Sequence, residues 1–341
     1  MFSWSYRTLS PDAVGVFRSL GLLAGPDVCA SAVAALIAAD TATARRLLEL
    51  LAGMYLVEES GQDRYRLHDL LRLYAAERSF AEDTDEGRSA ARRRLLDWYL
   101  HSAYAANSAI IHFPRIALDA AAEGCVPLTF ATVRQAIDWC ETEHSNLMAS
   151  IRMAAETGHH VAAWKIPPTL WGHFAIRKPW HDMITSHQFG LAAAREIGDR
   201  AGEASMLSGL GYAHRVRCPE EAIGYCHQAL AIRSETGDRP GQVYVLNSLS
   251  LAYHELRRSE EAIGCCDRAL AICHELGDHP WQARCLTSMS AILRGLRRSE
   301  EAIGYCDQAL AVFCGLGDRW GQGLALNASA ETQEKSHAEN R

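Results

Sequence analysis

The sequence predicts a mainly α-helical protein: an N-terminal three-helix domain with a small β-hairpin, then an α-solenoid of stacked helix pairs. Two observations carry the solenoid. Glu220-Glu221-Ala222-Ile223-Gly224 returns as Glu260-Glu261-Ala262-Ile263-Gly264 and as Glu300-Glu301-Ala302-Ile303-Gly304, a period of 40 residues. A second alanine (Ala229, Ala269, Ala309) and a closing Gly-Asp (Gly237-Asp238, Gly277-Asp278, Gly317-Asp318) keep the same phase. A fixed period of this length means units that stack on their neighbours and present extended concave surfaces, which favours binding over catalysis. The third observation, three apolar-periodic segments followed by an alternating hairpin pattern before residue 68, carries the N-terminal domain.

Composition bounds the rest. At 341 residues, 48% apolar and 22% charged, the chain fits two or three folded domains. A net charge of −7 argues against a dedicated nucleic-acid binder, which carries a basic balance. Only Lys165, Lys178 and Lys335 interrupt an otherwise all-arginine basic set, a skew that reads as coding bias. The 11 cysteines contain no Cys-x-x-Cys pair and no Cys/His spacing of the usual zinc kinds, so no metal site is expected. Cys226, Cys266 and Cys306 recur at the repeat period on one helix face and read as small core residues in a reduced, cytoplasmic setting. No signal peptide is expected, and no apolar run reaches the roughly 20 residues of a membrane helix.

In the N-terminal domain, Ser10-Pro11-Asp12 opens a helix with proline at its first position, and Val14, Phe17, Leu20 and Leu22-Leu23 form its apolar side. A second helix covers about Ala30 to Ala38. A third runs from Thr41 or Thr43 through Leu47, Leu48, Leu50 and Leu51 to Met54. Leu56-Val57-Glu58-Glu59, a turn containing Gly61, and Arg64-Tyr65-Arg66-Leu67 form the hairpin. Three helices and a hairpin describe a winged helix over residues 1–80. Directly after it stands Leu67-His68-Asp69-Leu70-Leu71-Arg72. This resembles the Met-His-Asp motif in the winged-helix domain of NB-ARC-type signalling ATPases, with Leu67 in place of methionine. The resemblance implies that His68, fixed by Asp69, reaches the β-phosphate of bound ADP and holds an off state. An imidazole is a suitable donor to a phosphate oxygen. The same residues also fit a plain helix cap, with Asp69 near the start of a Leu70–Ala76 helix.

A phosphate-cradling loop needs Gly-Lys-Ser/Thr, yet Trp164, Arg177 and Glu334 precede the three lysines. No catalytic residue and no cofactor are assigned to this chain. ADP or ATP enters only if an NB-ARC core is supplied elsewhere.

Residues 81–159 read as a helical connector. Glu82 to Gly87 is a charged linker. Arg92-Arg93-Arg94-Leu95-Leu96-Asp97-Trp98-Tyr99-Leu100 starts a long helix with a solvated first turn and packed Leu95, Trp98 and Tyr99. Residues 111–129, with Pro114, Gly124 and Pro127, form an irregular loop. Trp139-Cys140-Glu141 and Glu143-His144-Ser145-Asn146-Leu147 begin the helices that lead into the array.

Residues 160–341 form the array. In the unit from Gln242 to Asp278, Leu246, Leu249, Ser250 and Tyr253 make one stripe of a first helix, with a small residue where a neighbour approaches closely. Arg257-Arg258-Ser259 breaks it, and Ser259 caps the second helix ahead of Glu260 and Glu261. Ala262, Ile263, Cys266, Ala269, Leu270 and Cys273 stripe that helix, and Gly277 ends it in a left-handed conformation. The spacing of Ser250, Tyr253, Ala262 and Ala269 resembles the tetratricopeptide repeat in its longer variant. The preceding copy (Leu210, Gly211, His214) is one residue shorter in its internal turn. A degenerate copy comes before it, with Pro167-Pro168 breaking or bending its first helix. The last copy fades: Leu326 is in phase, Gln333 replaces an apolar residue, and the tail after Thr332 is polar and frayed.

This resemblance maps the ligand-touching positions of the concave face onto Tyr244, Asn247, His254, Arg284, Thr287 and Arg294. An aromatic, an amide and two arginines suit a protein or peptide partner of acidic or polar character. The same positions also fit an ordinary solvated face.

The order of winged helix, Arg-rich helix with Asp97-Trp98-Tyr99-Leu100, Trp139-x-Glu-x-Glu143-x-x-Asn146-Leu147 and 40-residue repeats resembles the C-terminal half of AfsR-type actinobacterial regulators. Those are STAND proteins with a DNA-binding activator domain, an NB-ARC ATPase and a repeat sensor. The resemblance implies a non-enzymatic sensor and scaffold in signal-responsive transcriptional regulation, with the two upstream domains missing here. Two alternatives stand beside it: a winged helix that binds DNA directly through Thr43–Met54, and a nonfunctional remnant of a larger STAND ATPase.

Overall fold

A computed structural model describes residues 2–111 and 116–339; the expected loop residue Pro114 lies outside them. The chain divides into two compact units, residues 1–110 with 114–177, and residues 178–341 with 111–113.

The first unit begins with α1 (Phe2–Arg7) and α2 (Pro11–Leu20). Ser10 caps α2 by accepting the Ala13 amide, and the buried stripe is Ala13, Val16, Phe17 and Leu20, with Val14 only half-buried. β1 (Val28–Cys29) leads into α3 (Ala30–Ile37), then α4 (Thr41–Gly53), whose Asp40 cap accepts the Thr43 amide at 2.8 Å. β2 (Glu58–Gly61) and β3 (Arg64–Arg66) form the hairpin, and the sheet order is β1-β3-β2, all antiparallel. This is a winged-helix arrangement, and it places His68 at the N-cap of α5 (Asp69–Glu82).

The charged stretch expected as a linker is a short break at Asp83-Thr84 between two helices. α6 (Asp85–Ile110) follows α5 after only two intervening residues. Thr84 Oγ1 accepts the Gly87 amide, and Asp85 and Glu86 suit the positive end of a helix. Arg88, buried, turns back onto the Ser79 carbonyl at 3.0 Å and Asp85. The arginine run is likewise not simply solvated: Arg94 donates to the Ala35 and Leu36 carbonyls at the end of α3, at 3.1 and 2.8 Å.

α7 (Val133–Thr142), α8 (His144–Glu156), α9 (His160–Thr169) and α10 (Trp171–Arg177) complete the unit. The two prolines interrupt the helix as expected: α9 ends at Thr169 and α10 begins at Trp171. Residues 160–177, grouped with the array on sequence, belong to this first unit because α9 packs on α6 and α8 and Asn107 accepts the Gly172 amide at 2.8 Å.

One charge network lies at the heart of this unit. Glu143, 1% exposed, pairs with Arg64 of β3 and accepts from Tyr99 Oη at 3.3 Å and Asn146 Nδ2 at 2.7 Å. Arg64 also pairs with Asp27, to which Asn146 donates at 3.0 Å. Buried charges are tolerated only when paired and hydrogen-bonded in this way.

The second unit stacks α11 (Trp180–Glu196), α12 (Arg200–His214), α13 (Pro219–Glu235), α14 (Arg239–Glu255), α15 (Ser259–Leu276), α16 (His279–Gly295), α17 (Ser299–Leu316) and α18 (Arg319–Glu339). Each Gly-Asp has one physical job per residue. Gly198, Gly237, Gly277 and Gly317 take positive φ, and Asp199, Asp238, Asp278 and Asp318 cap the next helix by accepting the amide three residues on. Ser259 is already the first helical residue and caps nothing. Arg258 occupies the cap position after Arg257 at φ 57°, and it holds Glu261 at 2.7 Å.

Within each pair the two helices approach closely where a small residue meets a buried cysteine. A Cβ on Gly211 would lie 2.4 Å from Cys226 Sγ. Ser250 accepts from Cys266 Sγ at 3.6 Å, and Ser290 meets Cys306 Sγ at 2.9 Å. Burial pushes the thiols of Cys226 and Cys266 up to about 12, consistent with core residues rather than reactive ones. In the last copy Ala325 and Phe313 are buried, but Leu326 is 54% exposed. The tail expected to fray continues as helix through Glu339, in keeping with its alanine, glutamate and lysine content.

Two predictions follow from this packing. Gly211→Ala destabilises the second unit by about 1–3 kcal/mol in denaturant unfolding. Adding Cys226→Ala recovers most of the loss; equal losses in the single and double variants would contradict the close approach.

The second concerns His187, fully buried in α11, where burial lowers its pKa to about 4 although Nδ1 donates to the Met183 carbonyl at 2.7 Å. The unfolded chain takes up a proton there near 6.5 and the fold does not, so stability falls as pH drops from about 6.5 to about 4. The loss approaches about 3 kcal/mol. His187→Gln gives a shallower fall relative to its own stability near neutral pH; an unchanged slope would contradict the assignment.

Candidate partner-binding face

In the second unit the first helices α12, α14, α16 and α18 pack successively against one another, whereas α13, α15 and α17 pack mainly on first helices. The first helices thus line the inner side of the array, where the six candidate residues of α14 and α16 stand.

The structure gives most of them a repeat-to-repeat role as well. Tyr244 is half-buried and meets Trp281 edge to face, ring centroids 5.3 Å apart. Asn247 is 8% exposed, with Oδ1 buried and without a hydrogen-bond partner. His254 is half-buried against Gly295, where a Cβ would lie 2.6 Å from its Cε1. Arg284 lies over Trp320 and Trp281, 4.7 and 5.7 Å from the ring centroids, with Asp318 Oδ2 3.9 Å away. Thr287 Oγ1 donates to the Ala283 carbonyl at 2.9 Å, and Arg294 pairs with Glu331 of α18. Tyr244, Arg284 and Arg294 therefore tie successive first helices together while keeping part of their surface on the inner wall.

Sequence reasoning missed the aromatic groups that complete this wall. Arg215 lies 3.7 Å from the Tyr212 ring centroid and 5.3 Å from that of Trp180. With Trp281 and Trp320 they extend an arginine–aromatic series from α11 to α18. The signal was hard to find because Trp281 and Trp320 fall at different repeat positions, where neighbouring copies carry glycine or proline. The wall offers guanidinium groups and flat rings, Trp281 buried and Tyr212, Tyr244 and Trp320 half-buried, a surface suited to peptide backbone, carboxylate and aromatic side chains.

The structure places His68 differently. It is exposed, with Nε2 3.5 Å from Glu58 Oε2, and Asp69 is exposed beside it in the first turn of α5. The open groove around His68 carries Glu49, Glu58 and Glu59, while Arg66 is committed to Glu58 at 2.9 Å. Carboxylates in that number oppose a phosphate, so in this chain alone the imidazole has no anion cradle around it.

Residues 246–314 match the tetratricopeptide repeat family. The regulatory protein AfsR of Streptomyces coelicolor is 36% identical over 226 residues, 63% of this chain and 21% of that protein. Its counterpart in Streptomyces griseus is 36% identical over 225 residues, 63% of this chain and 22% of that one. The chain thus matches about a fifth of the length of these relatives. A solved STAND protein with a tetratricopeptide repeat sensor from Pyrococcus horikoshii aligns at TM-score 0.46 and 14% identity, over 97% of this chain and 55% of the other. No helix among the described residues is long and apolar enough to cross a membrane. The chain is thus similar to the AfsR regulators over 63% of its own length, and its residues 246–314 are tetratricopeptide repeats.

Proposed function

We propose that this chain is a non-enzymatic sensor and scaffold in which the inner wall of the array binds a protein or peptide partner of acidic character. The observation that carries the reading is the series of arginines and aromatic rings on α12, α14, α16 and α18, in which the Arg284 and Arg294 side chains keep 10% and 18% of their surface exposed. Coulombic attraction selects an acidic segment, and the rings supply contact area at small entropic cost.

In signal-responsive transcriptional regulation, partner binding shifts the population of a larger assembly toward its active state. The winged helix is the coupling element of this reading, with His68 and Asp69 serving a nucleotide only when an NB-ARC core is supplied elsewhere. The exposed Leu70 and Leu73 on the same helix give that core an apolar surface to rest on. Direct duplex binding through α4 has less support: Leu47, Leu48 and Leu51 are buried, Arg45 is paired with Asp63, and Glu49 stands on the exposed side.

The test is a peptide array of acidic and neutral-to-basic sequences probed with the full chain. Acidic peptides are expected to bind with salt-dependent affinity, and Arg294→Glu to weaken them at least tenfold with an unchanged circular dichroism spectrum. Absence of binding, or equal binding by the variant, would contradict the reading.

A further inference from the structure

The turn between α12 and α13 departs from its two sister turns. In the later copies it contains a left-handed residue, Arg257 at φ 57° and Arg297 at φ 61°, followed by an arginine that pairs with a glutamate three residues on. Arg258 holds Glu261 at 2.7 Å and Arg298 holds Glu301 at 2.6 Å. The first copy lacks the left-handed residue and carries Cys218 where the others carry Arg258 and Arg298. Two consequences follow. Glu221 loses its arginine, and the shorter turn, closed by the Cys218 amide on the His214 carbonyl at 2.8 Å, draws the end of α12 toward the start of α13.

The ligand atoms of His214, Cys218 and Glu221 consequently lie within 4.8 Å of one another, the one group of three His, Cys, Asp or Glu so close among the described residues. His214 Nδ1 stands 3.3 Å from Glu221 Oε2, while its Nε2 is buried with no hydrogen-bond partner. The imidazole side chain is only 13% exposed and leans on Tyr225, centroids 5.5 Å apart, so the ring is held in place. Cys218 is a free, half-buried thiol. Two arginines flank the ligands in sequence: Arg215 donates to the Tyr212 carbonyl at 2.9 Å and lies over that ring, and Arg217, exposed, precedes Cys218.

We propose that His214, Cys218 and Glu221 form a binding site for Zn²⁺ or a similar borderline divalent ion. Zinc–ligand lengths of about 2.0–2.3 Å set donor separations of about 3.3–3.7 Å in a tetrahedron, so the present spacing closes by about 1 Å on binding. An N, S, O set favours zinc over magnesium or calcium, which prefer oxygen ligands. Three protein ligands leave a fourth position for water or for a group from a bound partner. Binding releases the Cys218 thiol proton to solvent and changes no oxidation state. The ion cross-links the two helices of one pair, the task that Arg258 and Arg298 leave to an ion pair and a longer turn. The usual zinc spacings miss this site because its ligands are of three types, at offsets of four and three across a helix-to-helix turn.

Cobalt titration of the reduced full chain tests the site. One equivalent of Co²⁺ is expected to give a thiolate-to-metal charge-transfer band and intense visible d–d bands, both bleached by Zn²⁺. Cys218→Arg, which installs the residue the sister copies use, is expected to keep the circular dichroism spectrum and lose the bands. His214→Ala is expected to weaken binding at least tenfold, and Cys314→Ser, at an exposed thiol elsewhere, to leave it unchanged. A wild-type chain without the bands would overturn the proposal. So would bands that persist in Cys218→Arg or vanish in Cys314→Ser.

Discussion

The array depends on one steric constraint, the close approach of two helices where a small residue faces a buried cysteine. Gly211, Ser250 and Ser290 each leave room for one sulfur atom, at Cys226, Cys266 and Cys306. That contact fixes the register of each pair, and equal registers in successive pairs make the inner helices stack in phase. Larger residues at these positions would force the helices apart, because packed interiors give way only in part. The chemistry of the inner wall is thus set by small groups on the opposite, buried side of the same helices. The raised thiols fit this packing role and leave the cysteines no nucleophilic one.

The first unit rests on a different kind of contact. Glu143 is buried among Arg64, Tyr99 and Asn146, so the wing strand β3, the long helix α6 and the junction of α7 and α8 share one charge network. Gly25 belongs to it by shape, since a Cβ there would fall 2.0 Å from Asn146 Oδ1. The motif spanning Trp139, Glu143, Asn146 and Leu147 therefore carries the core of this unit rather than only the start of a path into the array. A buried carboxylate with three partners ties the wing to the helices beyond it more specifically than apolar contact would.

Much of this was legible in the sequence, and the misses have physical causes. The 40-residue period located the helix pairs because each copy repeats its own caps and its own left-handed glycine. The hairpin was legible from alternation around Gly61. The tight junction of α5 and α6 within Glu82–Gly87 was not, because charge density reads as solvent exposure, whereas here Thr84 caps α6 and Arg88 turns back onto Asp85 and the end of α5. The long-range contacts were also hidden: Arg64 with Glu143, Arg94 with the end of α3, and Arg284 between two tryptophans join residues that no local pattern connects. The candidate residues on the inner wall were found by repeat phase, which gives a position on a helix but not the neighbours that half-cover it.

These half-covered groups define what the inner wall offers: rings already held by neighbouring helices lose little freedom when a ligand covers them, and arginines stacked on rings keep their charge while shedding much of their hydration. Hydrogen–deuterium exchange of the full chain, with and without an acidic peptide ligand, tests this account most directly. The account predicts added protection concentrated in α12, α14 and α16. Protection confined to α13, α15 and α17, or to the first unit, would contradict it.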